Sequence, residues 1–221
     1  MGQRIEIVTS LHLATQRDYV GRMLDDKAGC AQVSKQYGKD YWDGDRKYGY
    51  GGYSYIPGRW RPVAKALVDR YELGKKSRLL DLGCGKGFLL HELKLLVPEL
   101  TVCGIDISLY GLDNATQQIR PYVFQHDVAM ALPFATDEFD LVISLGVFHN
   151  LRLPNLHTAI REMERVGKSG YLMVESYRNE LELFNLQCWA LTAESFLDDR
   201  EWEWLYSQLG YSGDYEFIYF E

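Results

Sequence analysis

The chain has 221 residues, 47% of them hydrophobic, enough for one sizeable core and too many for a globally disordered protein. Its formal net charge of −7 argues against a broad nucleic-acid surface, which needs clustered Lys and Arg. Four scattered cysteines (Cys30, Cys84, Cys103, Cys188) without a C-x-x-C pair read as reduced thiols of a cytoplasmic protein, and neither a leader nor a bilayer-length apolar run is visible.

Residues 11–37 predict mostly helix, from the loose helical spacing of Leu11, Leu13, Tyr19, Val20, Met23 and Leu24. Residues 38–58 differ: their glycine density forbids a regular element, and their aromatic density argues against a floppy linker. A helix is expected over 60–71, with Pro62 in its first turn, where a missing N–H costs little. Strands and helices then alternate: strand 77–82, helix 86–96, strand 101–105, helix 108–119 behind a Ser108 N-cap, strand 122–125, a loop through Pro133, strand 139–145, helix 155–166 and strand 171–175. The strands are continuous apolar runs, the mark of a parallel sheet covered on both faces. This predicts an α/β fold with a doubly wound, mostly parallel sheet. Residues 181–197 are open to helix, strand or both. Residues 199–209 predict an amphipathic helix, with Trp202, Trp204 and Tyr206 assigned to the core, and 215–220 a closing strand. The expected organisation is a single domain: N-terminal helices and a Tyr/Gly-rich lid over 1–58, and the α/β core over 59–221.

The segment Leu79-Leu-Asp-Leu-Gly-Cys-Gly-Lys-Gly87 joins an apolar strand to a helix through three alternating glycines. Such a turn approaches a ligand closely, and the helix start points N–H groups at it. Asp81 at the strand end repels a pyrophosphate and attracts an ammonium, while Asp106 at the end of the next strand suits ribose hydroxyls. The combination predicts a nucleoside-bearing cofactor.

Four motifs follow in order: Asp-Leu-Gly-Cys-Gly-Lys-Gly at 81–87, Gly-Ile-Asp-Ile-Ser at 104–108, Gln-His-Asp-Val-Ala-Met-Ala-Leu-Pro-Phe at 125–134, and Phe-Asp-Leu-Val-Ile-Ser-Leu-Gly-Val-Phe-His-Asn-Leu at 139–151. Over residues 77–177 the chain resembles a class I S-adenosylmethionine-dependent methyltransferase of the small stand-alone bacterial type. The resemblance implies S-adenosyl-L-methionine as cofactor and S-adenosyl-L-homocysteine as product. It places Asp81, Gly83, Cys84, Gly85 and Gly87 beside the methionine part, and Asp106 with Ile107 at the ribose. Asp127 is placed on the adenine amino group, with His126 and Val128 flanking the ring; read alone, Asp127 is a turn acid before Leu-Pro. Ser144, Leu145 and Gly146 border the sulfonium.

His149 and Asn150, directly after the fourth strand, are the catalytic candidates together with Tyr53. Relatives often show paired histidines here, so His149 reads either as a general base or as a residue bonded to the backbone to shape the loop. Glu175, Ser176, Tyr177 and Arg178 follow the fifth strand; Tyr177 and Arg178 are assigned to the substrate, with Arg178 gripping an anion or pairing with an acid such as Glu180. Tyr48, Tyr50, Tyr53 and Tyr55 on their glycine-rich backbone read as a mobile aromatic cover or as a clasp holding helices to the sheet. In the first reading Tyr50, Tyr53 and Trp60 face the substrate, Tyr55 and Arg59 the cofactor, and Trp42, Asp43 and Asp45 join the lid. His126, Asp127 and His149 make no convincing metal set, because Asp127 is better used on adenine.

The expected reaction is methyl transfer to an O or N atom of a small polar metabolite, a sugar-linked one being one option. The alternatives are a protein or RNA methyltransferase and a non-catalytic S-adenosylmethionine-binding partner subunit. No nucleic-acid or membrane partner is expected, and the protein is read as a monomer or homodimer.

Overall fold

Two aspartates divide the N-terminal helical region. In the computed structural model, which describes residues 2–221, the mostly helical stretch expected over 11–37 is divided among α1 (Thr9–Leu13), α2 (Tyr19–Leu24) and α3 (Lys27–Ser34). Asp18 accepts from the Gly21 N–H at 2.9 Å and Asp26 from the Gly29 N–H at 3.3 Å, so each side chain starts a new helix in competition with the old one. Residues 38–58 also depart from expectation. A short α4 (Lys39–Asp43) and a 3-10 turn at Arg46–Tyr48 form before the glycines become dense.

The core then runs α5 (Arg61–Arg70), β1 (Arg78–Leu82), α6 (Phe88–Leu96), β2 (Thr101–Asp106), α7 (Leu109–Asp113), β3 (Val123–Gln125), β4 (Leu141–Leu145), α8 (Leu153–Val166), β5 (Gly170–Glu175), α9 (Glu180–Trp189), α10 (Asp199–Leu209) and β6 (Asp214–Ile218). Ser108 caps α7, accepting from the Gly111 N–H at 2.9 Å, but the helix stops well before Ile119. Asn114 ends it, its side chain turning back to the Tyr110 carbonyl at 2.8 Å. Residues 181–197 resolve as most of α9, capped by Asn179, followed by an irregular stretch. On α10, Trp202 and Tyr206 share one face and are fully buried, whereas Trp204, two residues from each, is 62% exposed and leaves the assigned core.

The six strands form one sheet in the order β3-β2-β1-β4-β5-β6, and every neighbouring pair is parallel. The order reverses between β1 and β4, so a crevice opens above their C-terminal ends. Alternate residues of a strand serve opposite layers. Leu80 and Leu82 pack with Leu156, Ile160 and Met163 of α8 and Trp202 and Tyr206 of α10. Leu79 packs with Val63 and Leu67 of α5 and Leu89, Leu90 and Leu93 of α6.

The N-terminal segment closes the far edge. Gln3 and Ile5 pair with Tyr215, and the buried Glu216 carboxylate accepts from the N–H groups of Ile7, Val8 and Thr9 at 2.6–3.0 Å. It also accepts from the hydroxyls of Thr9 and Tyr171. A charge in the last strand thereby caps the first helix and ties it to the sheet. Among the described residues no helix is long and apolar enough to cross a membrane.

Candidate active site

The turn after β1 takes a path that only glycine follows easily. Gly83 and Gly85 have φ of +87° and +55°, and a Cβ on Gly83 would stand 2.3 Å from the Val147 side chain. Asp106, at the end of β2, closes the turn from below, accepting from the Gly85 N–H at 2.7 Å and the Ser108 N–H at 2.8 Å. Burial raises its pKa above the ordinary carboxylate value, against the pull of these N–H groups. Asp81 has no hydrogen-bond partner among the described residues. Burial, reinforced by the charge of Asp106, pushes its pKa up to about 8. A buried carboxylate in this position is matched to a cationic ligand group.

The aromatic segment lies directly on this turn. Trp42 donates its indole N–H to the Ser108 hydroxyl at 2.8 Å, and its ring is wedged between Gly85 and Gly111. Tyr50 stacks on Trp42 with centroids 5.2 Å apart, Tyr53 on Tyr50 at 4.4 Å, and Phe88 of α6 on Tyr53 at 5.0 Å. The column is pinned by one buried ion pair. Lys86, inside the glycine turn, donates to both Asp43 oxygens at 2.6 and 2.8 Å and to the Tyr53 carbonyl at 2.8 Å. Tyr110 donates to the same carboxylate at 2.9 Å.

Between this segment and the ends of β4 and β5 lies a cavity of about 500 Å³. Of the residues expected at the site, Tyr50, Tyr53, Arg59 and Trp60 form its lid side, and Leu145, Gly146, His149 and Asn150 its sheet side. His149 is buried, and its Nδ1 accepts from the Glu175 N–H at 3.1 Å. The ring proton therefore sits on Nε2, 3.4 Å from the Glu175 carboxylate. Burial lowers the His149 pKa, with Glu175 opposing, and the one lone pair of the neutral ring is already used. Glu175 is the only carboxylate lining the cavity among the described residues. Asn150, in the cavity wall, donates to the Gly146 carbonyl at 3.1 Å, and its Oδ1 is buried without a partner.

Other expected residues lie elsewhere. Asp81, Gly83, Gly85, Gly87 and Asp106 gather at the turn beneath Trp42, outside the cavity lining. Ile107 is 48% exposed beside it. His126, Asp127 and Val128 follow β3; Asp127 accepts from the Ala129 N–H at 2.9 Å, a turn contact, and His126 bonds the Ala131 carbonyl. Four further side chains are engaged outside the cavity lining. Cys84 packs against Gly104 of β2, and Ser144, fully buried, donates to the Leu82 carbonyl at 3.0 Å to join β4 to β1. Tyr55 donates to Glu92 of α6 at 2.6 Å, turned from the cavity by its contact with His91. Arg178 pairs with Glu182 and Glu221 rather than Glu180, because Glu182 faces it one turn into α9. Tyr177 does not line the cavity either, since the chain after β5 is drawn toward α10 by the Ser176 hydroxyl, 3.0 Å from Asp199. Lys86, Arg17, Arg22, Arg46 and Trp189 were not picked out from the sequence. Of these only Lys86, sitting between two turn glycines, carried a local signal.

Among the described residues no three His, Cys, Asp or Glu side chains stand close enough to hold a metal ion. Fold and site define a domain that takes a nucleoside-bearing cofactor at the switch point of a parallel sheet. Residues 80–174 match the sequence family described as methyltransferase domain. The chain is 38% identical over 119 residues to a malonyl-[acyl-carrier protein] O-methyltransferase of Legionella pneumophila, covering 51% of this chain and 41% of that protein. It is 32% identical over 113 residues to a demethylmenaquinone methyltransferase of a Roseiflexus species, covering 50% and 45%. The chain thus spans less than half the length of these curated relatives. Among solved structures, the YcgJ protein of Bacillus subtilis superposes with a TM-score of 0.54 at 20% identity, covering 66% of each chain. A Haloferax volcanii methyltransferase in complex with the Trm112 activator gives 0.54 at 19%, covering 89% of this chain and 77% of that one. These two likenesses are of fold. Residues 80–174 form a methyltransferase domain of the class I, S-adenosylmethionine-dependent family, and S-adenosylmethionine is the cofactor of that family.

Proposed function

We propose that the protein transfers a methyl group from S-adenosylmethionine to an oxygen or nitrogen atom of a small polar metabolite. The observation that carries this reading is the position of the cavity. It meets the sheet at Gly146 and His149, beside the glycine turn, and is roofed by the segment that covers that turn. Bound at that turn, with its sulfur toward the cavity, the cofactor would supply a methyl group on a positively charged sulfur. The buried, unpartnered Asp81 fits its ammonium, and Asp106 at the end of β2 fits its ribose. Ile107, His126, Asp127 and Val128 lie along the adjoining strand ends, where adenine is assigned.

On the acceptor side, Asn150 borders the reacting centre, and Tyr50, Tyr53 and Trp60 exclude water around it. Glu175 takes the proton that a hydroxyl or ammonium must lose, while His149 orients it. The acceptors named for the two curated relatives differ, so the cavity is the guide to size. At about 500 Å³ it suits a metabolite, a sugar-linked one included, and its roof disfavours a folded protein or RNA. The four free cysteines accord with a cytoplasmic location, and the reading needs no more than a monomer or homodimer.

Calorimetry with S-adenosylhomocysteine tests the cofactor, and a metabolite pool incubated with methyl-labelled S-adenosylmethionine tests turnover. Absence of binding overturns the reading. Binding without label transfer to any metabolite leaves a non-catalytic binder in its place.

A further inference from the structure

In a chain of net charge −7, the cavity is lined by four arginines and one carboxylate. Three of the arginines converge on one indole. The guanidinium carbons of Arg17, Arg22 and Arg46 lie 5.5, 4.5 and 5.0 Å from the centroid of the Trp189 ring. They come from the loop before α2, from α2 itself and from the turn after α4, so no single element accounts for their meeting. None of the three pairs with a carboxylate among the described residues.

Their partners are mostly neutral carbonyls. Arg22 donates to Trp189 O and Arg46 O, each at 3.0 Å, Arg46 to Gly49 O, and Arg17 to Thr15 O at 2.9 Å. Arg17 also bonds His12 Nδ1 at 2.9 Å, and its Nε is buried without a partner. The like charges act on one another: burial and then Arg46 lower the Arg22 pKa to about 10, and burial and then Arg22 lower that of Lys27, behind Trp189, to about 8. Positive charge gathered this closely, offset only in part by Glu175 acting on Arg17 and Asp25 on Arg22, is costly unless something negative is brought to it. Guanidinium forks match the oxygens of carboxylate and phosphate.

We propose that Arg17, Arg22 and Arg46 form a seat for an oxyanion, a carboxylate or phosphate carried by the methyl acceptor. The indole of Trp189 holds the three guanidiniums in register by cation–π contact. The seat shares one cavity with Asn150 and Glu175, so the acceptor is held by its anionic end at the lid and presents its nucleophile at the sheet. Only the words "methyl acceptor" rest on the methyltransferase reading; the anion seat stands on the cavity itself.

The test uses the protein saturated with S-adenosylhomocysteine, titrated by calorimetry with inorganic phosphate and, separately, with malonate, at matched ionic strength against chloride. Saturable binding of at least one probe is expected, and which one binds tighter tells phosphate from carboxylate. Arg22→Gln and Arg46→Gln should each weaken that probe at least tenfold, while Arg161→Gln, on the exposed face of α8, should not. Arg22→Lys, which keeps the charge and loses the fork, should fall between and controls for folding through its melting temperature. No saturable binding to the wild type, or unchanged binding in both glutamine variants, overturns the seat. So does weaker S-adenosylhomocysteine affinity in Arg46→Gln with unchanged probe binding, which would give these arginines to the cofactor's own carboxylate. Loss of S-adenosylhomocysteine binding in the wild type would instead count against the cofactor reading.

Discussion

The Nδ1 of His149 accepts the backbone N–H of Glu175 at 3.1 Å, which turns the ring's own proton toward the Glu175 carboxylate. Of the two sequence readings of His149, general base or loop-shaping residue, this geometry favours the second, and under the proposed function the glutamate it orients takes the proton. Glu175→Gln should lower kcat by roughly 10²–10⁴-fold with cofactor affinity unchanged. His149→Gln should cost less, because it removes the orienting contact and leaves the carboxylate in place. A Glu175→Gln enzyme of normal turnover would return the base role to His149.

The ion pair of Lys86 with Asp43 bears on how long the cofactor stays. Replacing Lys86 by Met removes two charge-assisted hydrogen bonds and one to the Tyr53 carbonyl, a loss on the order of 2 kcal/mol. Charged to the closed lid alone, it speeds cofactor release by about 30-fold. Stopped-flow dissociation of S-adenosylhomocysteine measures this, and proteolysis within residues 38–58 should quicken in parallel. Unchanged rates in both would show that the aromatic column holds without its latch.

Asp81 predicts a pH dependence of opposite sign to that of a paired carboxylate. Its folded pKa, about 8, is above its unfolded value near 4, so between these pH values the unfolded chain binds fewer protons than the folded one. Its contribution to stability is greatest below pH 4 and falls by up to about 1.4 kcal/mol per unit as pH rises toward 8. Asp81→Asn should flatten that fall in melting temperature. S-adenosylmethionine should flatten it too, whereas the same slope with and without ligand would detach Asp81 from the ammonium.

Glu216 is the structural counterpart. Glu216→Ala leaves three buried or half-buried backbone N–H groups and two hydroxyls without their acceptor, a cost of about 3–5 kcal/mol in urea unfolding. Glu216→Gln should recover much of it. Because α1 contributes Leu11 and His12 to the cavity wall, KM for the acceptor should rise in the alanine variant.

The alternation of strands and helices was legible because the central parallel strands are largely apolar runs and the helices between them begin at a capping, proline or glycine signal. Phe88–Leu96, Thr101–Asp106 and Asp199–Leu209 lie within two residues of where periodicity places them. The glycine turn and its two acids were equally plain, since that chemistry is local. What escaped depends on chain crossings. Asp43 reaches Lys86 only because α4 folds over the turn, and Arg17, Arg22 and Arg46 meet only because Trp189 ends α9 beside them. For Arg178 the structure takes the second of its two sequence readings, pairing with an acid, but the partner is Glu182, visible only once Asn179 is known to start a helix.

The segment from Trp42 to Trp60 is at once the cover of the cofactor turn and a wall of the acceptor cavity. One cannot be in place while the other is missing. Under the proposed reading an ordered mechanism, donor first, is therefore expected: the opening that admits the donor also takes down a wall of the acceptor cavity. The kinetic signature is compulsory order, with S-adenosylhomocysteine competitive against S-adenosylmethionine alone and leaving last.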